Sequence, residues 1–160
     1  MTEKTISTSF KIYEDLSELP AGIQHLMAEA CKAREKAYAP YSNFHVGAAI
    51  LLENDQIVTG NNQENASYPS GLCAERTAIY YAGAQFPHLK IHHIAICAKS
   101  ATRILNAPIP PCGACRQTIA EYEIKQNHSI EIYFMGETGK IIRADSLGDL
   151  LPLAFDSTFL

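Results

Sequence analysis

Tryptophan is absent from this 160-residue sequence, which also lacks runs of lysine and arginine, long apolar stretches, internal repeats and low-complexity segments. The formal net charge is −4, so the chain has no electrostatic footprint of a nucleic-acid groove, and we expect no polynucleotide partner. No stretch approaches the roughly 18 apolar residues of a membrane span, so we expect no membrane partner. A small neutral substrate fits this composition better than a polyanion.

The N-terminal sequence MTEKTISTSF has no apolar segment of the secretory kind, and the five cysteines are an odd number. Both features favour a reducing cytoplasm, where paired cysteines are more often metal ligands or catalysts than disulfides. Cys31 and Cys97 lie in apolar patterns and are predicted to be small buried hydrophobic residues. We therefore expect a cytoplasmic protein. Residues 1–160, of which 47% are hydrophobic, are enough to form the core of one domain.

The order of the hydrophobic patterns predicts an α/β fold. Apolar residues at helical spacing from Ile23 to Tyr38 predict a first helix that Pro40 ends. A short strand is predicted within 7–13, a β-hairpin over 45–59 and a long polar loop over 60–72. Helices at 73–84, 112–122 and 146–155 are predicted to alternate with strands at 91–98, 129–135 and 140–143. This alternation predicts a mixed sheet, parallel at its centre, with helices on both faces.

Three cysteines stand where the predicted helices begin. Cys73 follows the long polar loop, and Cys112 and Cys115 follow two prolines in the stretch PPCGACRQ. Unpaired N–H groups and the helix dipole stabilise thiolates at such positions. A Cys-x-x-Cys pair by itself is about equally compatible with half of a zinc site and with a redox dithiol.

Cys73 and Glu75 favour the metal. Cys73 supplies a third sulfur, whereas Glu75, two residues further on, is turned too far round the helix to share its direction. Three protein ligands leave a fourth position for water, which is typical of catalytic zinc. A carboxylate beside that position is a general base. Arg76 follows directly and is predicted to donate to a cysteine sulfur, which would offset the negative charge of three thiolates.

The segments C-A-E at 73–75 and P-C-G-A-C-R-Q at 111–117 resemble the zinc-dependent cytidine deaminase family, of the short-chain homotetrameric kind. Y-S-N-F-H-V-G-A-A at 41–49 and N-N-Q-E-N-A-S-Y at 61–68 extend the resemblance, which runs from about residue 41 to about residue 155. It implies a three-layer α/β/α fold with a mixed five-stranded sheet. Residues 1–17 would then be an N-terminal extension.

The resemblance also implies the roles of individual residues. One Zn2+ per subunit would bind Cys73, Cys112 and Cys115, with Glu75 as the proton shuttle. It implies that Asn62 and Glu64 bind the ribose hydroxyls and that Phe44 packs against the pyrimidine ring. The backbone at Ala74 would face the carbonyl oxygen of the base. Phe155 would reach the site of a neighbouring subunit.

The activity implied is hydrolysis of cytidine and deoxycytidine to uridine and deoxyuridine with release of ammonia, a step of pyrimidine salvage. The substrate would be a free pyrimidine nucleoside, and the assembly a homotetramer. One alternative is a deaminase of a related base-like compound such as blasticidin S. A non-catalytic zinc-binding module is a second alternative and requires a fourth protein ligand. A redox dithiol protein is a third, and it would act without metal.

Overall fold

The computed structural model describes residues 1–160 and contains three α-helices and six β-strands. The helices are α1 (Ala21–Arg34), α2 (Ala74–Gln85) and α3 (Gly113–Gln126). The strands are β1 (Lys11–Tyr13), β2 (Phe44–Leu52), β3 (Ile57–Asn61), β4 (Ile91–Ser100), β5 (Glu131–Met135) and β6 (Ile141–Ala144). None of the helices is long and apolar enough to cross a membrane.

All six strands form one sheet in the order β1-β6-β5-β4-β2-β3. Strands β4 and β5 pair in parallel, and the other four neighbouring pairs are antiparallel. Helix α3 connects the parallel pair, because parallel neighbours need a crossover of helix length. The predicted mixed sheet and its parallel centre are therefore confirmed, with the parallel pairing limited to β4 and β5.

The five-stranded sheet is wrong, because the N-terminal extension contributes a sixth strand, which lies within the strand predicted at 7–13. Strand β1 pairs with β6 in the register Lys11↔Arg143. Ion pairs flank this short pairing, with Lys11 Nζ 3.3 Å from the Asp145 carboxylate and Lys140 Nζ 2.9 Å from that of Glu14. Strand β1 thus covers an edge that β6 would otherwise leave unpaired.

Helices cover both faces of the sheet, which confirms the three-layer α/β/α architecture. Side chains alternate along each strand, so neighbouring residues of β2 and β4 enter different cores. Ala48, Ile50, Ile94 and Ile96 pack on the side of α2 and α3. On the other side α1 packs against the sheet, and its core contains Ile23, Leu26, Met27, Ala30, Ala49, Ala95 and Tyr133.

The predicted last helix at 146–155 is wrong. Only one 3-10 turn forms there, at Leu147–Asp149, and the following residues are irregular up to a second turn at Ser157–Phe159. Pro152 explains the difference, since proline lacks a donor and pushes the preceding residue out of the helical region. Helix α1 likewise ends at Arg34, ahead of the predicted stop at Pro40.

Cys31 and Cys97 are not two separate thiols in the core, as the sequence predicted. A disulfide joins Cys31 of α1 to Cys97 of β4. Cys97 is fully buried, and Arg34 Nη1 donates a hydrogen bond to its sulfur at 3.1 Å. The two residues are 66 positions apart, so the apolar patterns around each gave no indication of the bond.

Candidate active site

Three cysteines meet where two helices begin. Cys73 is the N-cap of α2 and Cys112 the N-cap of α3, while Cys115 lies in the first turn of α3. Both N-cap residues have extended backbone angles, and neither makes a side-chain capping bond. The three cysteines therefore stand at the positive ends of two helix dipoles, which favour negative charge.

The spacing of the three sulfurs fits one metal ion. Cys73 Sγ lies 3.8 Å from Cys112 Sγ, which lies 3.5 Å from Cys115 Sγ. Two sulfurs at the usual zinc distance in a tetrahedral arrangement are separated by about 3.8 Å. The three sulfurs all lie within 4.8 Å of one another, and no other His, Cys, Asp or Glu joins the cluster. The donor set is thus suited to a zinc ion with three protein ligands.

The thiols of Cys73 and Cys115 have pKa values shifted in opposite directions. A hydrogen bond from the Cys115 thiol, with further donors at Arg76 and Cys112, lowers the pKa of Cys73 to about 5. The same interaction, together with burial, raises the pKa of Cys115. Arg76 Nη2 lies 3.8 Å from the Cys73 sulfur, while its buried Nε has no hydrogen-bond partner. Cys73 is therefore a ready thiolate beside a guanidinium.

Glu75 lies in the first turn of α2 and is only 5% exposed. Burial raises its pKa, and the negative charge of Cys73 adds to this effect, although the Cys115 thiol and Arg76 oppose it. A carboxyl group in such surroundings takes up and holds a proton more readily than one in water. Glu75 lies two residues after Cys73, the N-cap of the same helix.

An open cavity of about 390 Å³ adjoins the cluster. Its walls come from the loop before β2, the loop between β3 and α2, and the first turn of α2. Two of the predicted substrate contacts, Asn62 and Glu64, line it together with Cys73 and Arg76. The remaining lining residues are Tyr41, Ser42, Gln63, Asn65, Tyr68, Gly71 and Leu72.

Glu64 and Asn62 also hold the walls of this cavity together. The Glu64 carboxylate accepts hydrogen bonds from the Tyr41 N–H at 2.9 Å, the Ser42 N–H at 3.3 Å and the Ser42 hydroxyl. Asn62 Oδ1 accepts from the Val46 N–H, and its Nδ2 donates to the Phe44 carbonyl, both at 2.8 Å. Glu64 therefore fixes the loop before β2, and Asn62 fixes the start of β2, against the loop that follows β3.

The other three predicted contact residues do not line the cavity. Phe44 is half-buried at the first residue of β2, and Ala74 is fully buried at the start of α2. Phe155 lies outside the cavity and is 59% exposed. Its carbonyl accepts a hydrogen bond from Gln117 Nε2 at 2.7 Å.

Sequence reasoning singled out neither Tyr41, Ser42 nor Tyr68 as cavity residues. The rings of Tyr41 and Tyr68 lie 6.0 Å apart, tilted by 55°, and both are substantially exposed. A signal was present, since each tyrosine stands at one end of a motif segment and in polar surroundings. Exposed aromatic residues in a polar loop are more typical of binding sites than of cores.

Comparison with known proteins agrees with this geometry. The family model described as the cytidine and deoxycytidylate deaminase zinc-binding region matches residues 21–129. The chain is 40% identical over 132 residues to a cytidine deaminase of Halalkalibacterium halodurans, covering 82% of this chain and 92% of that protein. It is 41% identical over 133 residues to a cytidine deaminase of Sporosarcina psychrophila, covering 83% and 90%.

Solved structures give the same result. A crystal structure of a cytidine deaminase from Burkholderia pseudomallei superposes with a TM-score of 0.70 at 41% identity, covering 82% of this chain and 97% of that one. A cytidine deaminase from Mycobacterium tuberculosis superposes with a TM-score of 0.64 at 32% identity, covering 83% and 96%. These matches show that the chain belongs to the cytidine and deoxycytidylate deaminase family.

Proposed function

We propose that this protein is a zinc-dependent hydrolase that converts cytidine and deoxycytidine to uridine and deoxyuridine and releases ammonia. This reaction would be a step of pyrimidine salvage. The observation that carries the proposal is the buried carboxyl group of Glu75 beside three clustered sulfurs at the edge of an open cavity. The names of the relatives in H. halodurans and S. psychrophila support the same substrate. The cavity volume of about 390 Å³ is in the range of small-molecule sites.

Cys73, Cys112 and Cys115 would hold one zinc ion per subunit. When bound, the ion would act as a Lewis acid that lowers the pKa of a water at its open position. Three thiolates carry much negative charge, and Arg76 and the two helix N-termini draw part of it off the sulfurs. This compensation is the function that we propose for Arg76.

Glu75 would carry the protons of the reaction. It takes a proton from the attacking water and gives it to N3 of the ring, so that oxygen can bond to C4. It next takes the proton of the new C4 hydroxyl and delivers it to the amino group on C4. The bond between carbon and nitrogen then breaks, ammonia leaves, and C4 keeps its oxygen as a carbonyl. Burial favours this proton transfer because it raises the pKa of Glu75 toward neutral pH. A group whose pKa lies near the working pH can both accept and donate a proton.

Substrate binding would depend on the remaining predicted residues. Glu64 and Asn62 line the cavity, and each retains hydrogen-bonding capacity for a ribose hydroxyl beyond its bonds to the protein. Phe44 would pack against the pyrimidine, and the backbone at Ala74 would face the carbonyl oxygen of the base. Phe155 would reach the site of a neighbouring subunit, which its exposure and its position outside its own cavity favour.

The partner would be a free nucleoside, since the chain carries a net charge of −4 and no basic channel for a polynucleotide. The assembly would be a homotetramer in which neighbouring subunits contribute to each site. Its compartment would be the cytoplasm; Cys97 is fully buried in its disulfide with Cys31, and the three cysteines of the cluster are free thiols.

The test is to incubate the purified chain, loaded with zinc, with cytidine and deoxycytidine and to follow the loss of absorbance as the amino group leaves. Blasticidin S serves as a third substrate. The Glu75→Gln variant is the matched control, and we expect it to retain zinc while losing most turnover. No turnover of either nucleoside by the zinc-loaded protein would refute the proposal, and loss of zinc from the variant would make Glu75 a structural residue.

A further inference from the structure

The C-terminal segment at 150–155 is held against α3 by the two residues that follow Cys115. Arg116 donates from Nε to the Pro111 carbonyl at 2.8 Å and from Nη1 to the Leu150 carbonyl at 2.9 Å. Gln117 donates from Nε2 to the Phe155 carbonyl at 2.7 Å. The loop before Cys112, the start of the helix and the C-terminal segment are thereby connected.

The bond from Gln117 is the hydrogen bond that fixes the backbone of Phe155. Residues 152–155 belong to no helix or strand and make no hydrogen bond between backbone groups. Pro152 has no N–H to offer, and the next backbone bond involves the carbonyl of Asp156. Without Gln117, this part of the segment would have no polar contact that sets its distance from α3.

The ring of Phe155 is packed on one side and open on the other. It stacks on Phe159 with 5.8 Å between centroids and an angle of 15°, yet remains 59% exposed. It does not line the cavity of its own chain. An exposed aromatic ring with a fixed backbone loses little conformational freedom on binding, so it is well suited to contact a second copy.

We propose that Gln117 is a positioning residue that sets the KM of a neighbouring copy by fixing where Phe155 stands. This inference rests on the proposed function, and in particular on the contribution of Phe155 to a neighbour's site. Gln117 would touch neither substrate nor metal. Its effect would therefore appear in the substrate affinity of another subunit, while the chemistry of its own subunit stays unchanged.

The first experiment compares three variants. Gln117→Met removes the donor at nearly constant size, and we expect KM for cytidine to rise about 3- to 10-fold with kcat retained, as for the loss of one hydrogen bond. Gln117→Lys keeps a donor of similar reach and should return KM close to the wild-type value. Gln24→Met is the matched control, since Gln24 Nε2 makes one such bond to the Leu19 carbonyl at 2.8 Å, and its KM should not change.

The second experiment locates the defect. Differently tagged Gln117→Met and Glu75→Gln chains are assembled together, and oligomers that contain both are isolated with the second in excess. Only the Gln117→Met subunits then have an active site, and their neighbours supply a normally held Phe155. We expect KM to recover toward the wild-type value in these mixed oligomers.

Several results would overturn the inference. An unchanged KM in Gln117→Met would do so, as would a KM that stays high in the mixed oligomers, because Gln117 would then act within its own site. A parallel fall of kcat, zinc content and stability beyond that of Gln24→Met would make it a structural residue. A wild-type protein that turns over cytidine as a monomer also excludes the arrangement, whereas a wild-type protein without turnover contradicts the proposed function instead.

Discussion

Replacing Gly60 by alanine tests whether the packing of α2 on the sheet supports the metal centre. A Cβ atom built at Gly60 would lie 2.5 Å from the Ala78 nitrogen and 2.7 Å from the Ala74 carbonyl oxygen. Ordinary contact begins at 3.4 Å, so α2 and β3 would have to separate by about 0.9 Å. The obstructing atoms are backbone, so no side chain can rotate out of the way.

We expect Gly60→Ala to lower the free energy of unfolding by about 3 kcal/mol, the upper end of the usual cost of overpacking. The displacement falls on Ala74, which stands between Cys73 and Glu75. Metal–ligand distances tolerate about 0.2 Å, so we also expect weaker zinc binding. Urea unfolding measures the first effect, and competition with a chromogenic zinc chelator measures the second.

Two glycines provide matched controls. Nothing lies within 4 Å of a Cβ built at Gly22 in α1 or at Gly113 in the first turn of α3. Gly22→Ala should stabilise the protein by about 0.4–1 kcal/mol, because alanine restricts the unfolded chain. Gly113→Ala should leave zinc binding intact although it lies between two of the sulfur ligands. If Gly60→Ala matches the wild type in both assays, the close contact between α2 and β3 does not govern the site.

Three other changes test separate parts of the molecule. Arg76→Gln should lower kcat with zinc retained, whereas Arg76→Lys should lose less; kinetics of Arg76→Gln that match the wild type at every pH would contradict charge compensation at the sulfurs. Cys31→Ser opens a disulfide that spans 66 residues, and non-reducing urea unfolding should show a loss of about 4 kcal/mol, while coincident curves would show that the bond does not form. Deleting residues 2–17 should leave KM and kcat unchanged but cause association through the exposed edge of β6, measured by light scattering; a deletion variant that stays dispersed would argue against edge protection.

Local patterns predicted the parts of the site that depend on local structure. Cys73 and Cys112 precede helices because a polar loop and two prolines interrupt the chain there, and the structure has helices beginning directly after them. The pairing of the sulfurs across 39 residues was predicted only through the chemistry of zinc, which requires more than two ligands. The same reasoning set Glu75 apart from the sulfurs because of its offset along the helix.

Long-range partners were beyond the reach of these patterns. Strand β1 is three residues long, and the ion pair of Lys11 with Asp145 beside its pairing with β6 joins residues 134 positions apart. The bond between Cys31 and Cys97 depends on α1 crossing the sheet at β4, which follows from tertiary packing. Asn62 shows a further limit, because its residue type suggests a ligand contact whereas its amide also joins two strands.

The proton chemistry that we propose for Glu75 is linked to the packing of α2, because Glu75 lies in the first turn of that helix. Glu75 has a raised pKa because it is buried, and the helix that carries it lies directly on β3 at Gly60, where only glycine fits. If α2 moved away from the sheet, water would reach the carboxyl group and its pKa would fall toward the ordinary value. The sulfur of Cys73 would move with it, since Cys73 is the N-cap of the helix whose first turn contains Glu75. Metal affinity and proton transfer should therefore weaken together in any variant that loosens this contact, even when every residue of the site is retained.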